Sequence, residues 1–209
     1  IAMEQLTAGG VAAVSLNAIA RAMAMSPAAF YRYFDNRDEL LAALVVEAYD
    51  SLADALEKTA DRGGTVSTRI TAVADACRDW ALAHPHSYRL IFASTTGSGQ
   101  DLAPERIAPA AQRSMDVFLA LLSDLNTGPP PARDPLSRAL QAQLRAWGQR
   151  SAQPSLSTAT LYLGLIWWSR LHGLISLELG HHLQATGIDP RLLYHTELRS
   201  LLSQHSDAR

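Results

Sequence analysis

Apolar side chains recur at helical spacing along most of the chain, and no segment alternates between apolar and polar positions as a half-buried strand does. The pattern predicts a long helix from Asn36 to about Asp61 and six later helices. These six run over about Ser67 to Ala83, a short stretch from Pro85, Pro104 to Leu125, Pro135 to Gln149, Ser155 to about His182, and Asp189 to Gln204. Glycines within 94–103 and the proline run ending at 131 predict interruptions. We therefore expect an all-α fold.

Two shorter helices are predicted ahead of the long one. Ser15 is placed to cap a helix whose apolar positions share one face: Leu16, Ile19, Ala20 and Met23. Ser26 is placed to cap another, with Pro27 in the first helical position, where the missing N–H of proline costs nothing. Two short capped helices joined by a tight turn predict a helix-turn-helix, whose second helix enters the major groove of DNA.

An aromatic segment connects the second short helix to the long one. Phe30 and Phe34 lie four residues apart and are expected to face one core, while Tyr31 and Tyr33 leave that face with their hydroxyls toward the surface. The next helix starts with Asn36 followed three residues later by a glutamate, which is a start of the capping-box kind.

With these residues in place, the N-terminal segment resembles the tetracycline-repressor (TetR) family of bacterial transcription regulators. The matching positions, at the family's spacings, are Gly10, Ser15, Ile19, Ala20, Ser26, Tyr31, Phe34, Arg37 and Leu40. Three features depart from the family pattern. Ala24 stands where the turn usually has glycine, Arg37 replaces the usual lysine, and Ile1 falls inside what the family would make its first helix.

The C-terminal half extends the resemblance. The segments from Pro85 to Phe92 and from Trp168 to Gly173 resemble one subclass of TetR C-terminal domains, which carries a tryptophan–histidine–glycine signature. The resemblance implies a helix-turn-helix domain over residues 1–45 and a ligand-binding and dimerisation domain over residues 46–209.

The resemblance also implies which residues meet DNA. Tyr31 and Arg37 are expected to hold phosphates, and Ser15 and Ser26 to present helix N-termini to the DNA backbone. Pro27, Ala28 and Ala29 are expected nearest the base edges. Alanine can only touch thymine methyls or permit close approach. Specificity is therefore expected to depend on Asn17, Arg32, Tyr33 and the shape of the DNA.

Charge is the observation that favours another class of protein. The net charge of the chain is −2, and residues 1–44 have three arginines against four carboxylates: Arg21, Arg32 and Arg37 against Glu4, Asp35, Asp38 and Glu39. Because phosphate neutralisation supplies much of the affinity for DNA, a helical binding module or an enzyme with a vestigial helix-turn-helix stays open. Within the regulator class, we expect a repressor released by a small effector, with an activator or a ligand-independent regulator as alternatives.

Aromatic side chains are concentrated in the C-terminal part. They predict an apolar effector cavity with a few polar groups, among them Glu178, and a neutral or aromatic effector. Core and dimer packing is the alternative explanation. The candidate ligand-binding residues are Trp80, Tyr88, Phe92, Trp147, Tyr162, Trp168 and His172.

The last two helices have more apolar positions than one bundle needs to bury, which predicts that they pair. The apolar positions in question are Leu161, Leu165, Trp168, His172, Leu183, Leu192, Leu193, Leu198 and Leu201. In the TetR family the equivalent helices form a four-helix bundle across a two-fold axis. The resemblance therefore implies a homodimer on a palindromic, double-stranded DNA operator.

Other kinds of site find no support in the sequence. The histidine pairs at 84 and 86 and at 181 and 182 lack further ligands at metal-binding spacing, so no metal or cofactor is expected. No nucleophile, base and oxyanion donor assemble, so no enzyme is expected. The single cysteine, Cys77, suits a reducing cytoplasm, and the longest apolar run is too short for a membrane span.

Overall fold

The part of the chain that a computed structural model describes, residues 1–92, 103–125, 135–150 and 155–206, consists of α-helices and their connections, without a strand. The predicted all-α fold class is confirmed. The ten helices of this part are, in chain order, α1 (Ala2–Gly9), α2 (Leu16–Ala22), α3 (Pro27–Tyr31), α4 (Arg37–Ala60), α5 (Val66–Ala83), α6 (Pro85–Phe92), α7 (Pro104–Ser123), α8 (Pro135–Gly148), α9 (Thr158–Leu179) and α10 (Pro190–Ser206).

Helix α9 is shorter than the sequence predicted, whereas the other long helices begin within one residue of their predicted starts. Ser157, and not Ser155, caps it: the Ser157 hydroxyl accepts a hydrogen bond from the amide of Thr160 at 3.0 Å. The helix ends at Leu179 because Gly180 follows and His181 adopts a φ of 59°. The loop predicted for 94–103 lies outside the described residues except for its last residue, and the interruption at 128–131 lies wholly outside them.

One compact unit combines residues 1–51 with residues 84–111. Its core is formed by buried side chains of α2, α3, the start of α4 and the residue that precedes the N-cap of α2: Val14, Leu16, Ile19, Ala20, Phe30, Leu40 and Leu41. Ala2 and Leu6 of α1 pack against this core, as do Met25 and Phe34. The apolar face predicted for α2 is therefore confirmed at three positions. Met23 is the exception, since it lies beyond the last residue of α2 and is 52% exposed.

The other compact unit contains residues 52–83 and, from residue 112 on, the remainder of the chain. Its most deeply buried side chains come from α4, α5, α7 and α9 and include Leu52, Leu56, Ile70, Val73, Leu119, Leu122, Trp167 and Ile175. The Tyr194 hydroxyl on α10 donates to the carbonyl oxygen of Ala74 on α5 at 2.6 Å. The division into domains at residue 45 stays a prediction.

Several apolar positions assigned to a dimer interface belong instead to the core of the second unit. Leu161, Leu198 and Leu201 are each 1% exposed within a single chain. Helical periodicity identified them as apolar, but it does not tell whether the covering surface comes from the same chain or from a partner. Leu192, in contrast, is 66% exposed, and Leu177 and Ile188 are also exposed. The apolar surface available to a partner is therefore smaller than the sequence suggested.

Candidate nucleic-acid interface

The two short helices α2 and α3 begin as the sequence predicted. The Ser15 hydroxyl accepts a hydrogen bond from the amide of Ala18 at 3.3 Å, and the Ser26 hydroxyl accepts one from the amide of Ala29 at 3.1 Å. Pro27 occupies the first position of α3, where its fixed φ suits a helix start. A side-chain cap satisfies an amide that a helix of only one or two turns otherwise leaves to water. The local sequence therefore defines both helix starts.

The turn between α2 and α3 is a Schellman motif with alanine in its left-handed position. The amide of Met25 donates to the carbonyl of Ala20 at 2.9 Å, and the amide of Ala24 donates to the carbonyl of Arg21 at 3.1 Å. Ala24 has a φ of 54°, which is the left-handed region that favours the glycine usual at this position in the family. Because its Cβ crowds the backbone there, alanine is strained by about 1 kcal/mol relative to glycine.

The aromatic segment presents two rings to the core and two to the surface. Phe30 is buried, and its ring centroid lies 5.5 Å from that of Phe34. Tyr31 is 41% exposed and Tyr33 is 72% exposed. The predicted separation of the four rings is confirmed. The start of α4 is capped as predicted, because the Asn36 side chain accepts a hydrogen bond from the amide of Glu39 at 2.9 Å.

An open groove lies among the start of α2, the end of α3 and the start of α4. Its volume is about 490 Å³, and it is lined by Val14, Ser15, Leu16, Asn17, Tyr31, Asp35, Asn36, Arg37 and Asp38. Four of the predicted DNA-binding residues therefore line one concave surface: Ser15, Asn17, Tyr31 and Arg37. Arg37 contributes a positive charge to this lining, and the carboxylates of Asp35 and Asp38 contribute negative charges. An anion bound here would gain from a guanidinium, a phenol hydroxyl and a helix start.

The remaining predicted DNA-binding residues belong to α3 and its ends and do not line the groove. Ser26, Pro27 and Ala28 are exposed, Ala29 is half-buried, and Arg32 and Tyr33 are exposed. They form the solvent side of the second short helix, opposite the buried ring of Phe30. This side of α3 is therefore free to approach a nucleic acid without rearrangement of the core.

Two side chains that shape this region were not predicted. Gln5 on α1 accepts a hydrogen bond from the amide of Ser15 at 2.9 Å through its Oε1. Arg106 on α7 lies 3.9 Å from a carboxylate oxygen of Glu39 and so offsets one of the negative charges near the start of α4. The sequence signals only that the capping box of α2 is incomplete, because Ser15 is followed three residues later by alanine; it does not identify Gln5 as the partner.

The candidate effector residues fall into small groups within each unit. In the first unit the rings of Tyr88 and Phe92 lie 4.9 Å apart, and Tyr49 contacts Phe92 edge-on at 5.9 Å. In the second unit the rings of Trp168 and His172 lie 4.0 Å apart.

The other candidate residues of the second unit differ in burial. Trp147 and Trp168 pack against the cluster around Met115, and the Trp147 indole donates to Gln112 at 3.0 Å. Trp80 is buried, whereas Tyr162 is exposed. Glu178, expected to be a polar group of the cavity, instead forms an ion pair with Arg78.

Burial changes the protonation of two groups in the second unit. It lowers the pKa of His172 to about 3, so this imidazole is neutral at physiological pH. It raises the pKa of the Cys77 thiol to about 12, so the thiol stays protonated and unreactive. Both groups are therefore uncharged in the folded unit, the fully buried Cys77 as well as the half-buried His172.

The described ranges contain no group of three or more His, Cys, Asp or Glu side chains arranged to hold a metal ion. Among the helices of those ranges, none combines the length and apolar character needed to cross a membrane.

Comparisons with known proteins agree along nearly the whole chain. Residues 1–44 match the family described as bacterial regulatory proteins, tetR family, and residues 70–201 match the tetracyclin repressor-like, C-terminal domain. The HTH-type transcriptional regulator Rv1816 of Mycobacterium tuberculosis is 31% identical over 205 residues, which cover 96% of this chain and 87% of the relative. The regulator Mb1846 of Mycobacterium bovis has the same identity and coverage.

Solved structures give the same result. The crystal structure of SCO4313, described as a regulatory protein, is 37% identical, with a TM-score of 0.76 over 97% of this chain and 91% of the other. A Rhodococcus sp. RHA1 protein of unknown function is 21% identical, with a TM-score of 0.73 over 99% and 92% of the two chains, and it supports the fold alone. With its capped helix-turn-helix and its two matching domains, this chain belongs to the TetR family of bacterial transcriptional regulators.

Proposed function

We propose that this regulator is a homodimeric repressor that binds a palindromic operator and is released from it by a small apolar or aromatic effector. The groove that gathers Tyr31, Arg37, Ser15 and Asn17 is the observation that supports operator binding. In this proposal a DNA phosphate occupies the groove, where the Tyr31 hydroxyl and the Arg37 guanidinium bind it. Ser15 caps the helix that approaches the DNA backbone on the same side.

Base recognition is assigned to the exposed side of α3. Ser26 orients the start of this helix toward the backbone, and Pro27, Ala28 and Ala29 approach the base edges. None of these three side chains can make a bidentate hydrogen bond to a base, so they contribute contact with thymine methyls. Arg32, Tyr33 and Asn17, together with sequence-dependent DNA shape, supply the remaining discrimination.

The proposed dimer forms through α9 and α10. The exposure of Leu177, Ile188 and Leu192 supports this assignment, because large apolar side chains on a surface favour association. Two-fold symmetry would place the two copies of α3 about 34–36 Å apart, one turn of DNA. Each half of a palindrome then meets one copy.

The effector is proposed to bind among the aromatic side chains of the second unit: Trp80, Trp147, Tyr162, Trp168 and His172. The role of Tyr88 and Phe92, which belong to the first unit, stays a prediction from the sequence. The neutral state of His172 and its ring contact with Trp168 support an uncharged ligand. Its binding would tilt the long helix α4 and change the separation of the two copies of α3. A coupling of about 1–3 kcal/mol between effector and operator is the usual scale for such a switch.

The experiment that tests operator binding is selection of duplexes from a random pool by the wild-type chain, followed by titration of the enriched duplex at several salt concentrations. We expect a palindrome and a steep loss of affinity with salt. Arg37→Ala should flatten the dependence of log affinity on log salt by about one unit, because one phosphate contact is lost. Arg138→Ala, an exposed arginine on α8, is the matched control and should leave the slope unchanged. Failure to enrich any duplex favours a binding module with a vestigial helix-turn-helix.

A further inference from the structure

The start of α2 is capped by side chains from two different helices. In a capping box, the N-cap hydroxyl accepts from an amide three residues on, and the side chain at that third position accepts from the N-cap amide. Ser15 makes the first of these bonds, to the amide of Ala18. The methyl group of Ala18 cannot make the second. Gln5 makes it from α1, with 2.9 Å between the Ser15 amide nitrogen and the Gln5 Oε1.

Helix α1 holds the Gln5 carboxamide in a defined place. Its neighbour Leu6 and the first residue of the helix, Ala2, pack against the core of the first unit, and Gln5 itself is half-buried. Thr7 on the same helix lies 2.9 Å from the Nδ1 of His86 on α6. With apolar packing and this polar contact both fixing α1, the acceptor for Ser15 is preorganised.

We propose that Gln5 is a positioning residue for DNA binding, because it completes the capping box of α2 in place of Ala18. This inference rests on the proposed function, in which the groove binds a DNA phosphate. Ser15 and Asn17 line that groove from the first turn of α2. When the second bond of the cap is lost, the first turn frays and these two side chains lose their fixed positions.

A purely structural role for Gln5 would make its removal lower the global stability of the protein. A positioning role predicts little change in stability, because Ser15 is exposed and water can satisfy its amide once the carboxamide is removed. It predicts instead a weaker binding of DNA, which depends on the position of the first turn of α2. The separation of these two effects is the mark of a positioning residue.

The experiment compares Gln5→Met, which keeps the length of the side chain and removes the acceptor, with the double variant Gln5→Met/Ala18→Gln. The second change places an acceptor at the third position of α2 and so restores the capping box within the helix. Gln5→Glu keeps an acceptor on α1. Gln143→Met, at an exposed glutamine on α8, is the matched control. The measurements are melting temperature, hydrogen exchange of the Ser15 amide, and affinity for the duplex selected by the wild-type chain.

For Gln5→Met we expect faster exchange at Ser15, a melting temperature within a few degrees of wild type and an affinity lower by about tenfold. The double variant should regain both the slow exchange and the affinity, and Gln5→Glu should keep the slow exchange. Wild-type affinity in Gln5→Met, or no recovery in the double variant, would overturn the proposal while leaving the proposed function intact. A wild-type chain that selects no duplex would instead overturn the proposed function and, with it, the role of Gln5.

Discussion

Arg78 and Glu178 are joined by two hydrogen bonds between α5 and α9, with the arginine Nε 2.9 Å from one carboxylate oxygen and its Nη2 2.5 Å from the other. The two side chains are only 11% and 16% exposed. The guanidinium also lies 5.9 Å from the ring centroid of Tyr194 on α10. One largely buried ion pair therefore links three helices of the second unit.

Removal of one partner of this pair should destabilise the protein strongly. Glu178→Ala leaves the Arg78 cation without its carboxylate in a poorly solvated place, which should lower the free energy of unfolding by about 3 kcal/mol. Urea denaturation followed by circular dichroism measures the change. The double variant Arg78→Met/Glu178→Leu should recover most of the loss, since it leaves no unpaired charge. Equal stability of Glu178→Ala and wild type would show that the pair contributes little.

The strained turn offers a substitution that should stabilise. Ala24→Gly removes the Cβ from a residue with a φ of 54° and should raise the free energy of unfolding by about 1 kcal/mol. Ala22→Gly, at the last residue of α2, makes the same chemical change at a helical φ and should cost up to about 1 kcal/mol. Thermal melting of both variants checks the opposite signs. A melting temperature lowered by Ala24→Gly would contradict the assignment of strain.

Substitution of Tyr31 and of Tyr33 should distinguish a phosphate contact from a contribution to base recognition. Tyr31→Phe removes the hydroxyl assigned to a phosphate and should weaken binding by about 1–2 kcal/mol, equally for the selected duplex and for random DNA. Tyr33→Phe should weaken binding to the selected duplex alone. Gel-shift titrations with both duplexes measure the two ratios. If Tyr31→Phe discriminates between the duplexes, its assignment to the backbone is wrong.

The leucines of α10 differ in exposure, so a glutamate should have different effects at an exposed and at a buried position. Leu192→Glu places a charge on an exposed apolar position and should give a folded monomer, because an unpaired charge in an apolar interface is costly. Leu198→Glu places the charge in the core of the same chain and should unfold it. Sedimentation velocity and circular dichroism distinguish the two results. If the Leu192→Glu variant is a folded dimer, the interface does not include Leu192.

Acidification should destabilise the protein through His172. Burial lowers its pKa to about 3 in the folded state, so the unfolded state, with an ordinary pKa near 6.5, binds the proton first as the pH falls. Between these values each pH unit should remove about 1.4 kcal/mol of stability. His172→Phe removes the titrating group, so its stability relative to wild type should rise as the pH falls from 7 to 4. Parallel pH profiles of the two proteins in urea would contradict the buried, neutral state.

Signals that lie within a few residues of each other were predictable from the sequence. The caps at Ser15, Ser26 and Asn36 bond to amides three residues away, so a short window contains both partners. The burial of Phe30 and the exposure of Tyr33 follow from their places on one helical turn and its continuation. The same holds for the helix starts, which proline and serine define by their own backbone chemistry.

Partners that are distant in the chain were not predictable. Arg78 and Glu178 are separated by 100 positions, and periodicity along one helix does not identify its neighbour. Leu198 is apolar in the sequence whether a partner chain or its own chain covers it, and only the structure shows that it is buried within a single chain. Gln5 was missed for the same reason, because its bond to Ser15 depends on how α1 packs on the core.

The contact between Thr7 and His86 constrains the register of α1. The Thr7 hydroxyl lies 2.8 Å from the carbonyl oxygen of Met3, one turn earlier on the same helix, and 2.9 Å from the Nδ1 of His86 on α6. One side-chain oxygen therefore contacts both the backbone of its own helix and the side chain of another. A rotation or a shift of α1 that carried Gln5 away from Ser15 would also have to break the contact at His86. The N-terminal helix is thus held in register at two points, one on each of two neighbouring segments.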